Sequence, residues 1–273
     1  AENISTSTAV YTAAATDVDA GTTLTYTLSG TDAALFNIDS TTGVVTFKAS
    51  PNYESPADAG GNNVYDISVS ASDGTLTTIQ AVAITVTNVN EAPAFTSGAT
   101  ATVSENISTS TAVYTAVATD VDAGTTLTYT LSGTDAALFD IDSATGVVTF
   151  KASPNYESPT DSGADNVYNV TVGASDGTLT TTQAVAITVT NVNEAPAFTS
   201  GATATVAENI STSTAVYTAA ATDVDAGTTL TYTLSGTDAA LFNIDSSTGA
   251  VTFKASPNYE SPTDSGADNV YNV

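Results

Sequence analysis

The sequence repeats one long pattern at an interval of 103 residues. The interval is marked by the same glutamate in each copy: Glu2, Glu105 and Glu208. The first 103 residues differ from the next 103 at only 13 positions, and residues 207–273 differ from residues 104–170 at five. Solenoid units have periods of about 20–50 residues. Because this period is longer, each copy is predicted to be a domain of its own.

The stretch TNVNEAPAF occurs unchanged at residues 87–95 and 190–198 and marks the boundaries. Proline cannot continue a hydrogen-bonded ladder, so the chain is expected to pass from one copy to the next just before it. The predicted domains are residues 1–91, 92–194 and 195–273. The first lacks its leading residues and the third stops within a strand-like run, so the chain is expected to be a window of a longer array.

Within the middle copy, apolar and polar residues alternate in short runs rich in Thr, Val and Tyr, as half-buried strands require. The predicted strands are residues 100–103, 112–118, 127–131, 147–150, 168–174 and 179–190, with a short strand or turn at 138–141. Turn triplets such as Ser-Asp-Gly separate them, and no segment has helical periodicity. The pattern predicts an all-β protein of tandem seven-stranded Greek-key sandwiches, immunoglobulin-like and arranged end to end.

Charge restricts the partners of this chain. It carries 29 acidic residues and three basic ones, a formal net charge of −26. Such a surface repels nucleic acid and anionic lipid, so neither is an expected partner. With 41% hydrophobic residues the chain is not a disordered acidic tail. No apolar stretch has the length of a membrane span, and we expect no direct membrane insertion.

The acidic residues are grouped in five motifs that recur in the same order. In the middle copy these are Ser104-Glu-Asn, Asp120-Val-Asp, Asn155-Tyr-Glu, Ser175-Asp-Gly and Asn191-Val-Asn-Glu. In a sandwich such motifs lie at strand ends, where they can meet at a pole of the domain. Ca²⁺ takes six to eight oxygen ligands and tolerates irregular geometry. Zinc, copper and iron favour His or Cys, which the sequence lacks. The motifs therefore predict calcium sites.

The order of these motifs resembles the cadherin repeat, in the form found in large bacterial surface adhesins and matrix proteins. The resemblance implies calcium at each junction, bound by one domain, the linker and the next domain. The first junction would use Glu2, Asn52, Glu54, Asn88, Asn90, Glu91, Asp120, Asp122 and Asp176. The second would use Glu105, Asn155, Glu157, Asn191, Asn193, Glu194, Asp223 and Asp225. A third set, Asp17, Asp19 and Asp73, would face a preceding domain.

The sequence departs from the family pattern in its ligand set. The family's Asp-Arg-Glu is replaced by Asn52-Tyr53-Glu54, and the first acid of the linker is replaced by Asn88. An asparagine offers a carbonyl oxygen without a charge, so that calcium affinity is expected to be lower than in the family.

Other interpretations compete with calcium binding. An enzyme is disfavoured because the sequence has no His, Cys or Arg and its serines and threonines have no evident base. Ice binding is disfavoured because threonine is a common exposed strand residue. Lys151 could form an isopeptide crosslink, but an exposed lysine beside an acid is favoured. The loop containing Asp161 and Asp165 could hold another cation, but a solvated loop is favoured.

The sequence thus predicts a structural, non-enzymatic protein. The prediction is a calcium-stiffened rod or fibre segment of a bacterial adhesin or biofilm-matrix protein, secreted and extracellular. Its partners would be calcium ions, neighbouring repeats and identical chains in a fibre. The alternative is a β-sandwich module that binds a glycan or a partner protein through its loops.

Overall fold

The structure, a computed structural model, describes residues 1–273. The chain divides into two compact units. The first comprises Ala1–Ala101, Thr109–Lys151 and Tyr168–Ile187, and the second Thr102–Ser108, Ala152–Val167 and Thr188–Val273. The middle copy of the repeat contributes segments to both units. The three-domain division at residues 91/92 and 194/195 stays a prediction.

All regular structure is β apart from three single turns of 3₁₀ helix. The first copy contains β1 (Ala9–Thr12), β2 (Thr25–Ser29), β3 (Phe36–Ile38), β4 (Val44–Phe47), β5 (Val64–Ser72) and β6 (Thr77–Thr85). The middle copy contains β7 (Ala94–Phe95), β8 (Thr100–Ser104), β9 (Tyr114–Thr115), β10 (Ala118–Thr119), β11 (Thr128–Ser132), β12 (Phe139–Ile141), β13 (Val147–Phe150), β14 (Val167–Ser175) and β15 (Thr180–Thr190). The third contains β16 (Ala197–Phe198), β17 (Tyr217–Thr218), β18 (Ala221–Thr222), β19 (Phe242–Ile244) and β20 (Ala250–Phe253). The 3₁₀ turns are Ala33–Leu35, Ala136–Leu138 and Ala239–Leu241.

In each of the first two copies the strands form two facing sheets. In the first copy the strand orders are β2-β5-β6 and β1-β4-β3. In the middle copy they are β11-β14-β15-β8 and β12-β13-β9, with β10 paired to β7. In the third copy β17-β20-β19 form one sheet and β16 pairs with β18. The ladders β2-β5, β5-β6 and β11-β14 are antiparallel, as are the short pairings of the facing sheets. The predicted all-β sandwich fold is confirmed.

The core is built by strand alternation. Along β5, Tyr65, Ile67 and Val69 are buried while the intervening side chains are more exposed. Tyr65 packs edge-on against Phe36 and Phe47, with ring centroids 5.8 and 5.2 Å away. Such aromatic contacts stabilise a core by about 0.5–1.5 kcal/mol each beyond the area they bury. The same trio of rings recurs in the other two copies.

Most predicted strands of the middle copy are present with bounds shifted by at most one residue. The exception is the predicted strand 112–118, which is wrong as a single element. The chain forms β9 on the β13 sheet and then β10 beside β7, because the backbone changes sheets between them. Ala116 N, at the change, donates to Gly146 O at 2.9 Å.

The third copy lacks two strands that its sequence would allow. Residues 203–207 and 231–235 repeat the sequences of β8 and β11 almost unchanged, yet neither forms a strand. In the middle copy these strands belong to one sheet with β14 and β15. In the middle copy β11 pairs with residues 171–175 of β14, and β8 lies beside β15. Residues 1–273 include no third-copy counterpart of either partner segment, so residues 203–207 and 231–235 have no ladder to join.

Candidate metal centres

Two clusters of three glutamates lie 103 residues apart in the sequence. The carboxylate oxygens of Glu2, Glu54 and Glu91 lie within 4.8 Å of one another, and so do those of Glu105, Glu157 and Glu194. The first glutamate of each cluster is the one that recurs every 103 residues, the second lies in the long loop after β4 or β13, and the third ends the linker. The first cluster lies wholly in the first unit and the second wholly in the second.

Glu2 is the buried member of the first cluster, with 2% of its surface exposed. Its Oε2 accepts a hydrogen bond from Tyr53 N at 2.8 Å, and its Oε1 accepts one from Val89 N at 2.9 Å. A buried carboxylate needs such donors to offset the loss of water. Glu2 thereby ties the loop that carries Glu54 to the linker that carries Glu91.

The linker of the first cluster is bonded to two loops of the middle copy. Asp122 accepts from Glu91 N at 2.9 Å and from Asn88 Nδ2 at 2.7 Å. Asn90 Nδ2 donates to Asp176 Oδ2 at 2.7 Å. Of the residues that the resemblance groups at the first junction, the linker residues Asn88, Asn90 and Glu91 are therefore hydrogen-bonded to aspartates of the middle copy.

The second cluster repeats this arrangement. Glu105, also 2% exposed, accepts from Tyr156 N and Val192 N, each at 2.8 Å. Glu194 N donates to Asp225 Oδ2 at 2.8 Å. The first linker asparagine differs from its first-cluster counterpart, since Asn88 donates to an aspartate and Asn191 to a glutamate, whereas the second, like Asn90, donates to the main-chain oxygen of the next residue. Asn191 Nδ2 donates to Glu157 Oε1 at 3.3 Å, and Asn193 Nδ2 donates to the main chain of Glu194 at 3.1 Å.

The clustered carboxylates disturb one another electrostatically. Burial raises the pKa of Glu54 and of Glu91 above the ordinary value, and the charge of Glu2 raises both further. Burial and the charge of Glu105 likewise raise the pKa values of Glu157 and Glu194. The ionised form of each cluster is therefore disfavoured unless a positive charge compensates it.

Several oxygens of the clusters are buried without a hydrogen-bond partner. They are Glu54 Oε2, Glu91 Oε2, Asp120 Oδ2, Glu157 Oε2 and Glu194 Oε2. A buried polar atom without a partner destabilises the fold, and a bound ion can compensate for this loss. Every donor atom available is an oxygen, which suits a hard cation such as Ca²⁺ and not a metal that prefers nitrogen or sulfur. The residues present fit a calcium ion.

The remaining predicted ligands make mostly local contacts. Asn52 and Asn155 each accept from a backbone N–H three residues further on, at 2.7 Å. Asp120 and Asp223 each accept from the backbone of the second aspartate of their motif at 2.9 Å. Each of these Asp-Val-Asp motifs lies beside a glutamate cluster, because its second aspartate, Asp122 or Asp225, accepts a hydrogen bond from the linker. Their role as ligands stays a prediction.

The third predicted set is not part of a cluster. Asp19 N donates to Asp17 Oδ1 at 2.8 Å within its own turn. Asp73 Oδ1 accepts from Thr75 N and Leu76 N at 2.7 and 2.6 Å, again within its turn. Neither cluster of three acidic groups includes these residues.

Sequence reasoning missed two asparagines. Asn3 Nδ2 donates to Glu91 Oε1, and Asn106 Nδ2 donates to Glu194 Oε1. Both have a left-handed backbone, with φ of 56° and 59°, which asparagine tolerates better than most residues. The signal was available, because the dipeptide Glu-Asn recurs in every copy.

Two other sequence-based expectations can be compared with the structure. Lys151 is exposed and lies 3.7 Å from Asp140, which confirms the exposed ion pair. The solvated loop is wrong for Asp161, which is only 5% exposed. Its carboxylate accepts from Asp165 N and Asn166 N at 3.0 Å each, so the loop folds around it. The polar composition of the loop concealed this.

Comparison with known proteins identifies the repeat. Residues 99–190 match the cadherin domain family. Human protocadherin Fat 1 is 32% identical over 259 residues, 90% of this chain and 5% of that protein. Mouse cadherin EGF LAG seven-pass G-type receptor 2 is 33% identical over 258 residues, 90% of this chain and 8% of that protein. The chain thus spans less than a tenth of the length of these curated relatives.

The fold comparison points the same way. The structure of mouse cadherin-23 EC22-24 has a TM-score of 0.64 at 24% identity, and the match covers 95% of this chain and 84% of that one. No helix here has the length and apolar character that crossing a membrane demands. Cadherin domains are extracellular, adhesion-type modules, and in general they bind Ca²⁺. Residues 99–190 are a cadherin domain, and the chain as a whole has the fold of tandem, immunoglobulin-like cadherin repeats.

Proposed function

We propose that this chain is a calcium-stiffened segment of an extracellular rod or fibre. The observation that carries the proposal is the pair of glutamate clusters, each hydrogen-bonded through its linker to an aspartate of the following repeat. A cation bound there would be shared by two repeats and the linker between them. Its role would be mechanical rather than catalytic.

Calcium is the cation that the donor set favours. The first junction would hold it with Glu2, Glu54 and Glu91 and with Asp120, Asp122 and Asp176. The second would use Glu105, Glu157 and Glu194 with Asp223 and Asp225, and linker asparagines would add neutral oxygens at both. The buried oxygens without partners support this assignment, and so does the general calcium binding of cadherin domains.

Stiffness would follow from the electrostatics. Without a cation, the like charges of the three glutamates and nearby aspartates repel, which is the cause of the raised pKa values of Glu54 and Glu91 beyond burial. A divalent cation turns this repulsion into attraction. The junction is then held by ligands from both sides, and bending it requires ligand bonds to be broken.

The proposed setting is the cell surface or extracellular matrix of a bacterium, as part of an adhesin or biofilm-matrix protein. The near-identity of the three copies supports a spacer, since loops that recognise different ligands would have diverged. The relatives named above are animal proteins. The proposed bacterial setting therefore rests on the resemblance of the repeat motifs to those of bacterial surface proteins and not on those relatives.

Calcium titration with two readouts tests the function. Calcium should raise the melting temperature, because it binds the folded junctions and not the unfolded chain. Small-angle scattering should show one extended distance distribution with calcium and a broader one after chelation. Magnesium should substitute poorly, because it demands near-octahedral geometry and retains its waters. Identical melting and scattering in calcium and in chelator would contradict the proposal.

A further inference from the structure

We propose that Asp161 and Asn166, neither of them a predicted ligand, are positioning residues for the second cation site. They fix the loop that carries Asn155 and Glu157 and so set the calcium affinity of that junction without touching the ion. This inference rests on the proposed function and adds to it residues that the ligand motifs do not contain.

The main chain of Tyr156 is held from both sides. Its N–H donates to Glu105 Oε2 at 2.8 Å, and its carbonyl accepts from Asn166 Nδ2 at 2.9 Å. Tyr156 stands between Asn155 and Glu157 in the sequence. These two bonds, which we call the Tyr156 clamp, therefore fix the peptide planes on both sides of Tyr156 and with them the backbone from which the Glu157 side chain projects.

Asp161 holds Asn166 in the position that the clamp requires. The carboxylate is 5% exposed and accepts from Asp165 N and Asn166 N. These bonds close a tight turn in which Asn166 has a left-handed backbone, with φ of 63°. Burial acts to raise the pKa of Asp161, but the two N–H donors outweigh it and hold the pKa below its ordinary value. The group is therefore a charged acceptor at neutral pH.

The device recurs in every copy. In the first, Asp58 accepts from Asn62 N and Asn63 N, and Asn63 Nδ2 donates to Tyr53 O at 2.8 Å. In the third, Asp264 accepts from Asp268 N and Asn269 N, and Asn269 Nδ2 donates to Tyr259 O at 3.0 Å. Asp58 and Asp264 are each 6% exposed.

The clamp matters for cation binding because it opposes repulsion. Glu157 lies within 4.8 Å of two other carboxylates, whose charges push it outward. A loop free to move would relieve this repulsion by swinging Glu157 away. The clamp prevents that movement and keeps the ligand set preorganised, so that binding an ion requires less rearrangement. Residues that orient metal ligands in this way typically alter metal affinity about 10–100-fold when replaced.

The test compares the two linkers of the same chain. Glu-C endoproteinase cuts after glutamate, and mass spectrometry distinguishes cleavage after Glu91 from cleavage after Glu194. In the full chain carrying Asp161→Ala, the calcium concentration that protects Glu194 should rise about 10–100-fold. The concentration that protects Glu91 should not change. Asn166→Gly should act similarly, because glycine adopts the left-handed backbone and lacks the side-chain amide that donates to Tyr156 O.

Asp142→Ala is the matched control. Asp142 also accepts two backbone N–H bonds in a turn of the middle copy, at 2.9 Å each, but that turn carries no predicted ligand. The Asp142→Ala variant loses the same charge, and the calcium concentrations that protect Glu91 and Glu194 should not change. If Asp161→Ala does not fold by circular dichroism, Asn166→Gly decides the question.

The outcomes separate this inference from the proposed function. A wild-type chain in which calcium protects neither linker contradicts the proposed function. Calcium protection of both linkers that is unaltered in Asp161→Ala and Asn166→Gly contradicts only the positioning role. An equal rise in the calcium concentrations that protect Glu91 and Glu194 also contradicts the positioning role. That result means general destabilisation of the middle copy, which would supply Asp120, Asp122 and Asp176 to the first site.

Discussion

Glu105 connects three segments that lie far apart in the sequence. It directly follows β8, and its two carboxylate oxygens accept hydrogen bonds from the loop at Tyr156 and from the linker at Val192. Its backbone N–H donates to Thr190 O at 3.0 Å. A carboxylate with only 2% of its surface exposed is stable only with such donors, and its oxygens keep further lone pairs. The residue is thus fixed by the protein and still able to accept a cation.

The equivalent loops after β4, β13 and β20 differ in backbone strain at one position. Ala164 and Ala267 have φ of 50°, a left-handed conformation that costs a residue with a Cβ about 1–2 kcal/mol. The first copy has Gly61 at the equivalent position, with φ of 60°. A Cβ built on Gly61 meets no atom within 4 Å, so that only backbone strain distinguishes the copies.

Exchanging these residues should change stability in opposite directions. Ala164→Gly relieves the strain but increases the entropy of the unfolded chain, and should stabilise by about 0.5–1 kcal/mol net. Gly61→Ala should destabilise by a similar amount. Urea unfolding at fixed calcium measures both. If both substitutions shift the unfolding midpoint in the same direction, strain at this position is not the cause.

At the scale of the element, strands were predictable wherever one face is buried. Alternation predicts β8, β11, β13, β14 and β15 within one residue, because burial imposes a period of two. The change of sheet between β9 and β10 could not be read from residues 112–118. It depends on two partners, β13 and β7, that are distant in the sequence.

The candidate site was predictable for its acids and not for the residues that hold them. The acids stand in repeated motifs, so their meeting could be inferred from a family pattern. Asp161 and Asn166 stand in a polar loop whose composition is the same whether it is solvated or folded around a buried carboxylate. Only the three-dimensional structure reveals the two N–H bonds that Asp161 accepts.

The loops and linkers should also respond to pH in a characteristic way. In calcium-free buffer, Glu54, Glu91, Glu157 and Glu194 have pKa values raised above the ordinary 4.5, mainly by burial. The folded chain then binds protons more readily than the unfolded chain, so stability should rise as the pH falls from 7 toward about 4.5. The pKa values of Asp58, Asp161 and Asp264 are lowered below 3.8. Their contribution is present above that value and is lost as the pH falls further.

Melting temperatures across pH 7 to 3 in calcium-free buffer check this expectation. The curve should pass through a maximum in mild acid. In saturating calcium, acidification should instead lower the melting temperature throughout, because protons compete with the cation for the same carboxylates. A double variant with Glu91→Gln and Glu194→Gln is the control and should flatten the calcium-free rise. A monotonic fall from pH 7 without calcium would count against the arrangement of charges.

At the scale of the whole molecule, charge is concentrated where the repeats are predicted to join. The 29 acidic side chains are balanced by only three lysines, one in each copy, which leaves a formal net charge of −26. Self-repulsion of this size opposes a compact state. The exposed faces of β2 and β5 carry mainly Thr and Ser, whereas the clusters gather three glutamates each. We therefore expect a cation that binds the clusters to change the flexibility of the junctions more than the stability of any single repeat.

Replacing both Asp120 and Asp122 by alanine should separate stiffness from folding. These residues belong to the middle copy, and Asp122 is bonded to Glu91 and Asn88 of the linker. The double variant should keep its β-sheet circular dichroism and bind less calcium by calorimetry. Because the sequence contains no cysteine, spin labels can be attached at introduced cysteines without competing sites. Distances between labels at Thr27 and Thr130, both exposed, should become broadly distributed in calcium.

The same chain supplies two controls for this measurement. Labels at Thr130 and Thr233 report the second junction, which has its own Asp223 and Asp225, and their distance distribution should stay narrow. The double variant Asp17→Ala and Asp19→Ala removes the same motif from the first copy, where it joins neither glutamate cluster. It should leave both junctions unchanged. Full calcium stoichiometry and a narrow Thr27–Thr130 distribution after loss of Asp120 and Asp122 would show that these aspartates are not ligands. The stiffness would then have to come from the three glutamates and the linker alone.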